Sequence, residues 1–269
     1  MIYTTFFSTL SLAVIYGFSI LLVLASLAVG NFFGRRSARN GKIGETSIGS
    51  AVAATLGLLA FMLAFTFNMA ADRFSLRKTL LLNEANALST AFLRADLLPA
   101  DDRDRVRTLI AEYVDLRDID PLHVPDFEER LLRTEAIQQE LWQLVAKLSA
   151  SGYDGERLRG FYDTLNEVID FNTARLYTGM RYQIPPPIWG ALYALTALAM
   201  FGIGFQLGAS RSGSAQVAVA LALAFSVVIV LIVDLDRSYE GVLLVEQTPM
   251  SELNARLQAA ERAPRDSAD

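Results

Sequence analysis

The side chains that most often carry catalytic chemistry are few in this sequence. It contains one histidine, His123, and no cysteine, which excludes a thiol nucleophile and any site that needs several imidazole or thiolate ligands. The acidic pairs Asp101-Asp102 and Glu128-Glu129 could serve as acid–base pairs, but each stands where a helix is predicted to begin, and carboxylates stabilise that end of a helix. We find no phosphate-binding, dinucleotide-binding or zinc-protease motif. We therefore expect no enzyme, and no catalytic, cofactor or metal site.

A second set of polar residues suggests a role in moving ions across a membrane. Phe61, Phe65, Asn68 and Asp72 recur at i, i+4, i+7 and i+11, so one helix face passes from aromatic to amide to carboxylate. In a symmetric ring of subunits, this face would form a hydrophobic constriction followed by polar rings. The alternative is that the aromatic side chains face lipid or another helix.

The sign of the ion depends on the charges that follow this face. A ring of Asp72 carboxylates would favour cations over anions, unless Arg73 or Arg77 faced the pore instead. The sequence leaves both arrangements open.

Three charged residues follow the last apolar run of the chain. Asp234, Asp236 and Arg237 come directly after a run of valine, isoleucine and leucine, where a carboxylate is costly unless it is hydrated or paired. Arg237 lies within reach of Asp234 on the same helical face. This pattern predicts either a membrane-edge anchor or an ion-pathway or gating element.

The elements that must position these residues are four long apolar runs, near 10–33, 48–71, 187–209 and 215–234. Each reaches the roughly 20 residues that a helix needs to cross a bilayer core of about 30 Å, and hydrophobic residues make up 52% of the 269-residue chain. The predicted fold is an all-α membrane protein with four transmembrane helices and a helical extramembrane insert between the second and third. The predicted segments are a first transmembrane pair (1–71), the insert (72–186), a second transmembrane pair (187–234) and a polar C-terminal tail (235–269).

The insert has helical periodicity throughout. Its first helix continues straight out of the second span, because no Pro or Gly occurs between Asp72 and Leu98. Asp126 and Glu129 have the spacing of a capping box at the start of a further helix, and the last helix of the insert begins near Asp154. In the third span, Gly202, Gly204 and Gly208 are typical of close helix packing, within one subunit or between two.

Four short motifs identify a family resemblance. They are Asn83-Glu84-Ala85-Asn86-Ala87-Leu88, Arg94-Ala95-Asp96-Leu97-Leu98-Pro99, Tyr113-Val114-Asp115-Leu116-Arg117, and Asp234-Leu235-Asp236-Arg237-Ser238-Tyr239-Glu240-Gly241. Together they resemble the bestrophin-like domain family of bacterial membrane proteins, over nearly the whole chain. Asn83, Glu84 and Asn86 are predicted to form a polar network with neighbouring helices or another subunit; a ligand or ion site is the alternative.

The resemblance implies an ion channel, since bestrophins are anion channels built as rings of identical subunits around a central pore. Their pore motif does not occur in this sequence, so no pore residue is carried over. The alternative function is a membrane-anchored sensor or protein-interaction scaffold, which the long helical insert favours. The expected partners are the lipid bilayer, further copies of the chain and inorganic ions. The formal net charge of -5 argues against nucleic acid.

The charges of the short loops predict the orientation. Arg35, Arg36, Arg39 and Lys42 cluster between the first two spans, whereas no Lys or Arg precedes the first span. Because short basic loops stay in the cytoplasm, both termini and the insert 72–186 are predicted to lie outside it. The resemblance implies a multi-pass protein of the bacterial inner membrane.

Overall fold

The computed structural model describes residues 11–39, 45–120, 126–180, 182–210, 215–238 and 241–262. These residues form α1 (Leu12–Arg39), α2 (Glu45–Arg94), a short 3-10 helix (Ala95–Leu97), α3 (Ala100–Arg117), α4 (Phe127–Ala150), α5 (Gly155–Met180), α6 (Pro186–Ser210), α7 (Ala215–Asp236) and α8 (Thr248–Arg262). The predicted all-α fold class is confirmed. His123 and Lys42 lie outside the described residues.

Four of the described helices are long and apolar enough to cross a membrane: α1, α2, α6 and α7. Each corresponds to one of the four predicted apolar runs, although α1 begins at Leu12 and residue 10 of the first run lies outside the described residues. The 28 residues of α1 correspond to about 42 Å at 1.5 Å per residue, which exceeds the hydrocarbon thickness of a bilayer. The predicted number of spans is therefore confirmed.

The chain forms two compact units. The first comprises 1–74 and 183–243, and the second comprises 75–182 and 244–269, as far as these ranges are described. The core of the second unit includes Met250, Leu253 and Leu257 of α8. The polar tail therefore contributes an apolar helix face to the same core as the insert.

Helix α2 runs without interruption to Arg94, as the absence of Pro and Gly beyond Leu58 predicts. The 3-10 helix and Pro99 separate it from α3. The predicted continuity of the second span with the first helix of the insert is confirmed. One polypeptide rod thus supplies residues to both compact units.

In the first unit, α1 and α6 pack against each other through facing glycines. Gly30 and Gly34 on α1, and Gly204 and Gly208 on α6, lie so close to the opposite helix that a Cβ atom at any of them would collide with a main-chain carbonyl group. Small residues four apart allow this approach. The glycine pattern of the third span therefore serves packing within one subunit, against a matching pair on α1.

The starts of two helices in the second unit differ in chemistry. Asp154 caps α5, since its Oδ1 accepts hydrogen bonds from the main-chain N–H groups of Glu156 at 3.0 Å and Arg157 at 3.3 Å. Asp126 precedes α4, but its φ of 53° is left-handed and its side chain makes no capping bond. The predicted capping box of Asp126 with Glu129 is wrong, because a capping residue normally has an extended backbone, whereas Asp126 is left-handed and its side chain makes no bond to the start of the helix.

Replacing a contact glycine should destabilise the first unit more than replacing a glycine in open space. We expect Gly34→Ala or Gly204→Ala to cost about 1–3 kcal/mol, because the added methyl group forces the two backbones apart. Gly17→Ala on α1 and Gly190→Ala on α6 are matched controls, since nothing lies within 4 Å of a Cβ there. Thermal unfolding in a single detergent measures all four; equal losses would contradict the close approach.

Candidate functional site

The membrane part of α2 has one packed side and one exposed side. Leu59, Leu63, Thr66 and Ala70 recur at i, i+4, i+7 and i+11 and are buried. They lie in or beside the core of the first unit, and the Thr66 hydroxyl donates to the main-chain carbonyl of Met62 at 2.7 Å. This packing fixes the rotation of α2 about its own axis, and therefore which residues point away from the subunit.

The opposite side carries the four residues that the sequence predicts to line a pore. We call Phe61, Phe65, Asn68 and Asp72 the aromatic–polar face; at 100° per residue they occupy an arc of about 60°. Phe61 is 65% exposed and Phe65 is 50% exposed, and their rings stack with centroids 6.5 Å apart. Asn68 and Asp72 are exposed as well. The face is therefore available to a neighbouring molecule, to lipid or to a pore.

Asn68 and Asp72 form a pair at the polar end of this face. The Asn68 amide Nδ2 donates a hydrogen bond to Asp72 Oδ2 at 3.0 Å, across one helical turn. The donor group of the amide is thereby turned toward the carboxylate. The pair presents the Asn68 amide oxygen, the second N–H of this amide and the Asp72 carboxylate to its surroundings.

The next charge along α2 is directed into the first unit. The Arg73 Nη1 atom lies 3.0 Å from Asp236 Oδ1, and this carboxylate also accepts from the main-chain N–H of Ile184. Asp236 is buried, and Arg77 is only 8% exposed. Arg73 is therefore held by a buried partner at the end of α7.

Asp234 stabilises the turn that follows α7. Its carboxylate accepts from the main-chain N–H of Val242 at 3.0 Å and of Leu243 at 3.3 Å. Gly241 has a φ of 126°, and a Cβ there would collide with the Asp234 carboxylate, so this turn requires glycine. Arg237 is also buried. The three membrane-edge charges are thus interior groups, and coupling between Asp234 and Arg237 stays a prediction.

A buried ionic cluster lies in the second unit, around Glu84. Its carboxylate accepts from the Tyr113 hydroxyl at 3.0 Å, is 3.4 Å from the Arg117 guanidinium, and is bonded by Arg175. Arg175 also donates to the side chain of Gln247 at 3.3 Å. Glu84 is fully buried. The cluster therefore joins α2, α3, α5 and the segment before α8 through one carboxylate.

The ionisation of Glu84 follows from its two cationic partners. Burial alone would raise the pKa of this carboxyl group, but the charges of Arg117 and Arg175 and the hydrogen bonds outweigh it and hold the pKa below its usual range. Burial and the neighbouring carboxylate raise the pKa of Tyr113. Glu84 is therefore an acceptor and Tyr113 a donor at neutral pH.

The structure divides the predicted polar network. Glu84 is its buried centre, whereas Asn83 is half-buried and Asn86 is exposed. The sequence analysis does not identify Arg175 as a partner of Glu84, although the position of Arg175 on α5 indicates a buried contact. Phe161, Leu165 and Val168 form the apolar stripe of α5, and Arg175 falls seven residues after Val168 on the same stripe. A charge on an apolar stripe indicates a buried partner.

No group of three or more His, Asp or Glu residues in the described part of the chain could hold a metal ion. The clusters around Glu84 and Asp236 pair each carboxylate with arginine and main-chain or hydroxyl donors. These arrangements compensate buried charge and leave the exposed aromatic–polar face as the candidate functional site.

Four apolar membrane helices and a helical second unit define a polytopic all-α membrane protein. The model of the Bestrophin-like domain matches residues 14–250. The chain therefore belongs to the Bestrophin-like domain family, as the sequence motifs predict. A comparison with curated proteins gives no match.

Solved structures share the fold. A crystal structure of a bacterial bestrophin homologue from Klebsiella pneumoniae, carrying one substitution, has a TM-score of 0.67 and 14% sequence identity, covering 94% of this chain and 99% of that chain. Another variant of that homologue gives a TM-score of 0.64 at 15% identity, with 93% and 99% covered. A single-residue variant of a membrane protein gives 0.67 at 14% identity, with 94% and 99% covered. Identity at this level establishes the fold alone.

Removing the Glu84 charge should destabilise the second unit. We expect Glu84→Gln to cost about 3–5 kcal/mol at neutral pH, because the buried Arg117 and the half-buried Arg175 would lose their counter-charge. Glu135→Gln, which alters an exposed glutamate on α4, is the matched control and should be nearly neutral. Chemical unfolding in detergent measures both variants.

The pH dependence of unfolding gives a second test of the same cluster. Because the folded-state pKa of Glu84 is depressed, its contribution is present above the unfolded pKa of about 4.3 and is lost as pH falls through the folded value. Wild-type stability should therefore decline in acid, and the decline should be shallower in Glu84→Gln. Parallel profiles would show that Glu84 is not the titrating group.

Proposed function

We propose that the chain is a subunit of an oligomeric ion channel whose pore is lined by α2. Family membership supports this function, and so does the fold shared with bacterial bestrophin homologues. The proposed partners are the lipid bilayer, further identical subunits and inorganic ions, and the proposed location is the bacterial inner membrane.

The observation that carries the proposal is the aromatic–polar face. Contact with lipid would suit the side chains of Phe61 and Phe65. Asn68 and Asp72, however, are polar and are exposed on the same face. A polar strip that follows an aromatic one suits the axis of a ring, where water replaces lipid. Two rings of phenylalanine would then form the constriction, and the amide and carboxylate rings would form its hydrated mouth.

A functional test combines subunit counting with electrical recording. Purified protein should form a ring of several subunits in detergent and conduct ions in planar bilayers. Phe61→Ala and Phe65→Ala should increase the conductance or open probability, because they widen a hydrophobic constriction that limits wetting. Phe32→Ala, which alters a 62% exposed aromatic on α1, should leave conduction unchanged.

A stable monomer without conductance would contradict the proposed channel function. It would favour a membrane-anchored sensor or interaction scaffold. Equal effects of Phe32→Ala and Phe61→Ala on the conductance would contradict the proposal that α2 lines the pore.

We also propose that both termini and the insert 72–186 lie outside the cytoplasm. Arg35, Arg36 and Arg39 are exposed at the end of α1, next to the short connection to α2, and short connections rich in Lys and Arg tend to stay in the cytoplasm. At the opposite ends of the spans, Arg77 and Arg237 are buried and Lys78 is exposed. The proposal rests on the basic residues between the first two spans, because the charge rule is counted over short loops.

Thiol labelling tests this orientation, since the chain has no cysteine of its own. Single cysteines at Ser37 and Ser151 should behave oppositely in intact cells treated with an impermeant reagent. We expect labelling at Ser151 and protection at Ser37. The reverse pattern would place the insert in the cytoplasm; permeabilised cells, in which both positions should react, are the control.

A further inference from the structure

The end of α5 carries exposed aromatic and apolar side chains. Tyr177, Met180 and Tyr182 are each between 45% and 57% exposed. The main-chain N–H of Tyr182 donates to the carbonyl oxygen of Tyr177 at 3.1 Å, so the chain folds back on the last turn of α5 and both tyrosines stay at this end of the second unit. Thr178 in the same turn is buried. The turn therefore has one packed side and one exposed side.

Helix α2 contributes a further apolar side chain to the second unit near this turn. The ion pair of Glu84 with Arg175 holds α2 beside α5. Leu76 lies eight residues before Glu84, about 12 Å along α2, and it is exposed. Met180 lies five residues after Arg175, about 8 Å along α5. We call the four exposed side chains the boundary band: Leu76, Tyr177, Met180 and Tyr182.

Both helices lead into the membrane a few residues beyond the boundary band. The predicted apolar run 48–71 of α2 ends five residues before Leu76. The membrane helix α6 begins at Pro186, six residues after Met180, and six residues of extended chain span at most about 20 Å. The band is therefore tied to the hydrocarbon region by short lengths of chain on both helices.

The chemistry of these segments suits the headgroup layer of a bilayer. A tyrosine ring buries apolar surface while its hydroxyl stays hydrogen-bonded, and tyrosine is enriched at membrane–water interfaces for this reason. No Asp or Glu occurs in 73–83 or in 171–182, so lipid phosphates would meet no carboxylate there. Asp163, Glu167 and Asp170 are exposed farther from this end of α5. The acidic surface of the helix thus stops before the boundary band begins.

We infer that the boundary band is embedded in the phospholipid headgroup layer and anchors the second unit on the membrane surface. Embedding removes the exposed apolar surface of these four side chains from water, which is the driving force for binding at an interface. The inference does not depend on the proposed channel function. It also holds for either orientation of the chain, since both leaflets present phosphate headgroups.

Fluorescence quenching in vesicles tests this inference on the full chain, which has no cysteine of its own. Met180→Cys and Tyr182→Cys are labelled with bimane and reconstituted into vesicles of phosphatidylethanolamine and phosphatidylglycerol, with or without a phosphatidylcholine brominated near the glycerol end of its acyl chains. We expect the brominated lipid to quench both labels, and iodide in the aqueous phase to quench them weakly.

Trp142→Cys on α4 is the matched control. Trp142 is 44% exposed, but its neighbour Glu140 bonds Arg105 near the start of α3, whereas Arg117 at the end of α3 contacts Glu84. Its label should therefore lie farther from the bilayer than the boundary band, and iodide alone should quench it.

Two other patterns of quenching would overturn the inference. Iodide quenching of the Met180→Cys and Tyr182→Cys labels as strong as that of the control would place the boundary band in water. Protection from both quenchers would indicate that protein, such as a second copy of this chain, covers the band in place of lipid. Leu76→Cys and Tyr177→Cys provide independent labels if either first variant fails to fold, and circular dichroism checks the helical content of each.

Discussion

The carboxylate of Glu84 is the group on which the second unit depends. It is fully buried, and a buried ion is tolerated only when its charge and hydrogen-bonding capacity are met. Arg117, Arg175 and Tyr113 meet them, from two other helices. Since the two arginines would lose their counter-charge without Glu84, the helices that carry them are held in the arrangement that brings these charges together.

The same rule governs the charges of the first unit. Asp236 binds Arg73 and the main chain at Ile184, and Asp234 binds the main chain at Val242 and Leu243. These bonds tie the end of α7 to α2, to the segment before α6 and to the turn that follows α7. The Arg73 side chain is bonded to the buried carboxylate of Asp236, and it is therefore not paired with the exposed carboxylate of Asp72.

Helix α2 joins these features along one chain segment. It supplies Glu84 to the second unit, Arg73 to the first, and the aromatic–polar face to the outside of the subunit. The packed residues from Leu59 to Ala70 set its rotation. The proposed constriction therefore depends on packing that lies on the opposite side of the helix.

The sequence by itself determined the four spans, the continuity of α2 and the apolar stripes, because hydrophobic length, helical period and the positions of Pro and Gly are local properties. It also placed Phe61, Phe65, Asn68 and Asp72 on one face. Only the tertiary structure decided which charges pair. Arg73 and Asp236 are 163 residues apart, and Arg175 and Glu84 are 91 apart. Periodicity tells which face of a helix is buried, but the partner of a buried charge depends on which helices meet and how each is rotated.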